Sequence, residues 1–76
     1  MFPVVDPKKI TRARGERSMQ DIVDASGDAF SYEQLRSWEK GDYRPNPENL
    51  KALLLALDVN YEDITTDYDK LMAQAA

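Results

Sequence analysis

Residues 30–41, Phe-Ser-Tyr-Glu-Gln-Leu-Arg-Ser-Trp-Glu-Lys-Gly, contain the signals of one short, capped helix. Ser31 is a typical N-cap, because its hydroxyl accepts a hydrogen bond from a backbone N–H one turn later. Gly41 provides the left-handed residue with which many helices end. Leu35 and Trp38 are three residues apart and share one face, which we predict is buried. The outer face mixes an aromatic ring, a carboxylate, a hydroxyl and two cations, from Tyr32, Glu33, Ser37, Arg36 and Lys40.

Two more helices precede this one. Asp6 followed by Pro7 is a cap and a first-turn proline, so a helix is predicted over 7–14, ending at Gly15. Ser18 caps a second helix over 19–25, and Asp21 stands where a capping box has its acidic residue. The outward positions of the first helix are assigned to its cations, Lys8, Lys9, Arg12 and Arg14.

The strongest periodic signal follows the central helix. Asn46 and Pro47 start a helix over 47–57, in which four leucines recur at i, i+3, i+4 and i+7. Asn60 caps a further turn or helix from Tyr61, and Thr66 with Asp69 could start a final helix. We predict one buried cluster formed by Ile10, Ile22, Leu35, Trp38, Leu50, Leu53, Leu54 and Leu57.

These elements predict an all-α fold of four to five helices. No stretch alternates convincingly with a period of two, so no sheet is expected. The 76 residues form a single domain with a small core. Its parts are an N-terminal arm over 1–6, packed loosely or disordered, a core over 7–65, and a C-terminal helix or tail over 66–76.

Composition narrows the classes of function. The chain has no Cys and no His, so the usual zinc ligands are missing, and neither a metal nor another cofactor is predicted. No nucleophile–base–orienter set is visible, so an enzyme is not expected. We see no signal peptide, and the longest apolar run, 52–57, is far too short to span a bilayer. We expect a cytoplasmic protein without a membrane partner, and no pattern indicates a small-molecule ligand.

Charge is distributed unevenly along the chain. The net charge is −4, but residues 1–44 hold eight basic and eight acidic residues and net zero. Residues 45–76 hold two basic and six acidic residues and carry the whole excess. A basic front and an acidic back suit a protein that binds a polyanion, whereas solvated charge without a pattern is the alternative.

Three segments together resemble one family. The run Ser37-Trp-Glu-Lys-Gly-Asp-Tyr-Arg-Pro45 resembles the end of the recognition helix in lambda-repressor-like domains, the Cro and phage-repressor type also called XRE. Residues 14–23 resemble the junction of that family's first two helices, and the leucines of 50–57 with Val59 and Ile64 resemble its tail. The likeness covers about residues 8–65. Two departures are Met19, where members often carry Gln, and a turn over 27–31 that is about two residues longer.

The resemblance implies a helix-turn-helix that binds double-stranded DNA. Base-contacting positions of the family fall on Tyr32, Glu33 and Ser37, with Gln34 and Arg36 as further candidates. Phosphate-contacting positions fall on Lys40, Tyr43 and Arg44, and Ser18 with its helix N-terminus could add backbone donors.

Several of these residues have simpler explanations. Glu33 could complement the helix dipole, Tyr32 could pack on the protein, and Arg36 could pair with a neighbouring carboxylate. Trp38 is assigned to the core, and the resemblance implies that Glu39 makes a structural contact with backbone or an arginine. Lys8, Lys9 and Arg12 could be ordinary solvated charge.

The hypothesis is therefore a small phage- or prokaryote-type repressor that acts as a dimer on a pseudo-palindromic operator. The alternative is the same fold used as a protein-interaction module, for example an antitoxin or adaptor. Salt distinguishes them, because affinity for DNA falls steeply with salt.

An apolar stripe near the C-terminus indicates self-association. Its members, which have helical spacing, are Ile64, Tyr68, Leu71, Met72 and Ala75. An uncovered stripe of this kind is typical of an interface, which Leu55 and Tyr61 could join. The alternative is that this segment folds back as a final core helix of a monomer.

Overall fold

A computed structural model describes residues 3–75 of the chain, and the side chains of residues 3–73. Within this part, five α-helices dominate, so the helical fold class is confirmed. The elements in chain order are β1 (Pro3–Val5), α1 (Pro7–Arg14), α2 (Met19–Ala25), α3 (Tyr32–Lys40), α4 (Pro47–Leu57), a 3-10 helix (Tyr61–Ile64), β2 (Thr65–Asp67) and α5 (Tyr68–Ala75).

The predicted caps fix the bounds of the first four helices. The Asp6 carboxylate accepts the backbone N–H of Lys8 at 3.1 Å. Ser18 and Asp21 form the reciprocal capping box at the start of α2. Each such contact satisfies a backbone donor that a helix end would otherwise leave unpaired. These helices therefore begin and end where the local sequence predicts.

The predicted core forms as one cluster. Ile10, Ile22, Leu35 and Leu53 have no exposed surface. Leu50 and Leu54 are only partly buried, but both pack against the cluster. The cluster also includes Phe30, whose ring meets Trp38 edge to face with centroids 5.0 Å apart. This T-shaped contact closes the turn between α2 and α3 over the core.

The expectation of no sheet is wrong. β1 pairs antiparallel with β2, with Val4 opposite Thr66, and we call this two-stranded sheet the terminal clasp. Val4 and Val5 are each only 9% exposed, so residues 3–5 are not a loosely packed arm. Residues 1 and 2 of the predicted arm lie outside the described residues. Strands of three residues are too short to show a period of two, and their pairing depends on residues far apart in the chain.

Two further bonds secure the clasp to α1. The backbone N–H of Asp6 donates to the Ile64 carbonyl at 2.8 Å. The Lys9 ammonium donates to the Thr65 carbonyl at 2.6 Å. Lys9, which was assigned to the outer face, is therefore half-buried and bonded, and the solvated-charge interpretation is wrong for it.

The C-terminal segment also differs from the prediction. Thr66 lies in β2 and does not cap a helix, and α5 starts at Tyr68. Ile64 is fully buried in the core, so it does not belong to an uncovered stripe. Leu71 is half-buried and Met72 is 43% exposed. The side chain of Ala75 lies outside the described residues. Helix α5 therefore covers part of the domain and leaves part of its own surface open.

Candidate nucleic-acid interface

Helix α3 is held rigidly on its inner side. Leu35 and Trp38 are buried, as predicted, and Trp38 is only 4% exposed. At its start, the Ser31 hydroxyl accepts the Gln34 backbone N–H at 3.1 Å, and the Gln34 amide oxygen accepts the Ser31 N–H at 2.8 Å. At its end, Gly41 adopts a left-handed φ of 84°. The outer face of α3 is therefore presented on a fixed backbone.

The outer face is open to solvent. Tyr32 is 46% exposed, so a large part of its side chain is open to a partner. Ser37 is half-buried, and the exposed polar side chains on the rest of this face are Glu33, Gln34, Arg36 and Lys40. No hydrogen bond or ion pair from another described residue engages the side chain of Glu33 or Arg36. These two groups can therefore bind a partner without first breaking a bond in the protein.

Two shallow depressions flank Glu33 and Ser37. The larger, about 450 Å³, runs from α3 to the start of α4. Its lining residues are Ser31, Glu33, Gln34, Ser37, Trp38, Tyr43, Arg44, Asn46 and Asn49. The structure thus brings five of the predicted contact residues together there. Tyr32 and Ser18 line neither depression.

The second depression, about 260 Å³, lies on the other side of Glu33 and Ser37. It brings these two residues together with Arg36, Lys40 and Asp42. The Lys40 ammonium stands 3.9 Å from the Asp42 carboxylate, and both side chains are more than half exposed. An ion pair this open to water is weak, so Lys40 remains available to an anion.

Some predicted contact groups are already partly bonded. The Gln34 amide oxygen serves the cap, which leaves its NH₂ group free to donate. The Ser37 hydroxyl donates to the Gln34 carbonyl at 2.9 Å, so its oxygen can still accept. The Ser18 hydroxyl accepts the Asp21 N–H at 3.0 Å. The groups that remain here for an anion are therefore mainly the backbone N–H groups at the start of α2.

Glu39 has the structural contact that the family resemblance implies. Its carboxylate receives the Arg14 guanidinium through Nε and Nη2, each at 3.0 Å, and the Thr11 hydroxyl at 2.8 Å. The Glu39 side chain is 4% exposed and that of Arg14 is 18% exposed. Arg14 was assigned to the outer face, and this assignment is wrong because the pair fastens α3 to α1.

Three residues near the site were missed by sequence reasoning. Arg17 donates to the carbonyls of Ala13, Arg14 and Leu57, and so fastens the α1–α2 turn to the end of α4. Asn46 was recognised only as a cap, and Asn49 not at all, yet both line the larger depression. The cap at Asn46 was readable locally, but the position of both residues beside α3 depends on how α4 packs.

Two features absent from the described residues concern other classes of function. In residues 3–75, no helix is both long and apolar enough to cross a membrane. In the same part of the chain, no group of three or more carboxylates is arranged to hold a metal ion.

Comparison with known proteins gives one match. A family model described as helix-turn-helix matches residues 10–64, which is most of the chain. Neither the curated proteins nor the solved structures include a significant match. The matched range contains the whole of α2, α3 and α4, together with both depressions.

Proposed function

Because the chain belongs to the helix-turn-helix family, in its lambda-repressor-like or XRE form, we propose that it is a transcriptional repressor that binds a specific operator in double-stranded DNA. The family is one of DNA-binding regulators. The proposal of a specific operator rests on one observation, the open, polar outer face of α3. This helix is capped at both ends, and its inner face packs in the core.

In this proposal α3 enters the major groove. Tyr32, Glu33, Arg36 and Ser37 meet base edges, and the NH₂ group of Gln34 is a further donor. A Glu carboxylate accepts from cytosine N4, an Arg guanidinium binds guanine O6 and N7, and an apolar ring edge meets a thymine methyl. The two unengaged charges, Glu33 and Arg36, make the largest contribution to discrimination among these groups.

Phosphate contacts would flank the base contacts. Lys40, Tyr43 and Arg44 follow the end of α3, and the α2 N-terminus at Ser18 supplies backbone donors. Asn46 and Asn49 line the same depression as Arg44, so they extend this set. Such contacts fix the protein on the duplex without selecting a sequence.

The repressor would act as a dimer in the cytoplasm of a bacterial or phage-infected cell. One α3 reaches only a few base pairs, whereas two copies on a pseudo-palindrome read half-sites about 34 Å apart. Met72 on α5 lies beside Tyr43 and Arg44, close to the end of α3. A two-fold contact through the exposed side of α5 would therefore set two recognition helices side by side. A bound dimer would block the promoter.

Selection of bound duplexes from a random pool tests this proposal. The wild-type chain should enrich a two-fold symmetric site, and its affinity should fall steeply with salt. Glu33→Gln and Ser37→Ala should change the enriched sequence, because each good base contact is worth about 1–3 kcal/mol of discrimination. Lys40→Ala and Arg44→Ala should weaken all sequences alike.

Asp24→Asn is a matched control for the charge changes, because Asp24 is an exposed acidic residue of α2 away from both depressions. The Asp24→Asn variant should enrich the same DNA sequence as the wild type. If the Glu33 and Ser37 variants also kept the wild-type preference, the proposed docking of α3 would be wrong. Absence of binding to any duplex at low salt would instead favour the protein-interaction alternative.

A further inference from the structure

A third concavity lies between the terminal clasp, the end of α3 and the middle of α5, and it shares Trp38, Tyr43 and Arg44 with the larger depression. It has a volume of about 180 Å³ and is more enclosed than the depressions along α3. Its apolar walls come from Val5, Pro7, Trp38, Leu71 and Met72. For scale, an engineered apolar cavity of about 150 Å³ in another protein holds one benzene molecule. This concavity, which we call the α5 cavity, therefore has room for one ring or a branched chain of similar size.

The cavity has one positive charge. Of the described residues that line it, only Arg44 is charged, and no described carboxylate pairs with its guanidinium. A guanidinium prefers a carboxylate or phosphate, which it binds through two parallel hydrogen bonds. Burying most of the polar groups of a phosphate ester against these apolar walls would cost free energy. An apolar group with a single carboxylate instead matches both the apolar walls and Arg44.

Trp38 adds a second polar group. The residue is 4% exposed, and its indole N–H donates to no described residue. Among the described residues, every fully buried side-chain nitrogen or oxygen has a hydrogen-bond partner. The indole nitrogen of Trp38 has none, so it is not fully buried and is reachable from one of the two concavities that Trp38 lines. A buried indole usually has a hydrogen-bond partner. A ligand oxygen on this side of the protein would provide one.

From these observations we propose that the α5 cavity binds a small monocarboxylate whose apolar part is about the size of one ring. The carboxylate lies on Arg44, and the apolar part lies between Trp38, Val5 and the α5 side chains Leu71 and Met72. The ligand would join α5 to the loop that follows α3. Nothing in this arrangement requires DNA.

Benzoate and benzyl alcohol are matched probes, because they share the ring and differ in charge. Trp38 is the only tryptophan of the chain, so its fluorescence reports on the cavity wall directly. At constant ionic strength, balanced with sodium chloride, benzoate should change the Trp38 emission along a saturable curve in the millimolar range. Benzyl alcohol should bind at least about tenfold more weakly, since it lacks the charge-assisted pair with Arg44.

Two variants separate a specific site from general attraction of anions. Arg44→Met should reduce benzoate binding to the level of benzyl alcohol. Lys8→Met removes an exposed cation beside the lining residue Pro7 that does not itself line the cavity, and it should leave benzoate binding unchanged. Circular dichroism should show that both variants are folded. The proposal is overturned by the absence of a saturable response, by equal affinity for both probes, or by equal losses in the two variants.

One consequence rests on the proposed function. If Arg44 also contacts a DNA phosphate, a carboxylate bound to it competes with that phosphate, and saturating benzoate lowers the affinity for the operator. The fluorescence titration contains no DNA. Saturable binding without an effect on DNA therefore supports the α5 cavity and counts only against the phosphate contact of Arg44.

Discussion

Leu53 and Leu55 lie on the same helix, two residues apart, in opposite environments. Leu53 is fully buried, whereas Leu55 is 74% exposed. Leu53→Ala should lower the free energy of unfolding by about 2–4 kcal/mol, because it leaves a cavity in the centre of the core. Leu55→Ala, the matched control, should change it by less than about 0.5 kcal/mol. Urea denaturation of both variants checks this, and similar losses would contradict the packing of α4.

The Arg14–Glu39 pair offers a comparison between a buried and an exposed ion pair. Glu39→Gln should cost about 3–5 kcal/mol, because it leaves the guanidinium of Arg14 partly buried without its counter-charge. The same acid-to-amide change in Asp42→Asn breaks the open pair with Lys40 and should cost less than about 1 kcal/mol. Thermal unfolding measures both. A smaller loss for Glu39→Gln than for Asp42→Asn would show that the pair does not fasten α3 to α1.

Individual roles were predictable where local sequence determines them. Trp38 follows from its spacing to Leu35, whereas the structural contact of Glu39 was expected from the family resemblance. The role of Arg17 was not predictable, because one of its acceptors is the Leu57 carbonyl, forty residues away. That contact exists only once α4 packs against the α1–α2 turn.

At the scale of elements, α3 contains two serines with different tasks. Ser31 caps the helix, and Ser37 lies on its outer side and bonds only the carbonyl one turn back. Ser31→Ala should cost about 1 kcal/mol of stability, because the Gln34 N–H loses its acceptor. Ser37→Ala should cost less than about 0.5 kcal/mol. Chemical denaturation distinguishes them, and equal costs would contradict the assigned cap.

The helices are indicated by residues close to them in the sequence, whereas the sheet is not. Caps, prolines, glycines and leucine spacing all lie within a turn or two of the helix they define, so the bounds of α1 to α4 were predictable. The terminal clasp joins Val4 to Thr66, and neither three-residue segment has a pattern of its own. The start of α5 was misplaced for the same reason, since the pairing of Thr66 with Val4 places it in a strand and prevents it from capping a helix.

At the scale of the whole molecule, we propose that the outer side of α5 forms the dimer contact. Met72→Glu should convert the proposed dimer to a monomer, because it places a charge on the exposed apolar side of the helix. Lys70→Glu changes a charge on the same helix without removing an apolar contact and should leave the dimer intact. Sedimentation equilibrium measures both. An intact chain that stays monomeric at high concentration, and binds its operator as a single copy, would contradict the dimer.

The terminal clasp also affects how the protein is made. During translation, residues 3–5 leave the ribosome well before their partners, residues 65–67, are synthesised. Until those residues emerge, Val4 and Val5 have no strand to pair with, and α1 lacks the carbonyl that Lys9 binds. Contacts among α1 to α4 can form on the nascent chain, but the core lacks Ile64 and α1 lacks its contact with the 3-10 helix until residues 61–64 emerge. A message cut short before residue 65 would therefore yield a helical product with an open N-terminal edge, which cellular proteases can distinguish from the finished domain.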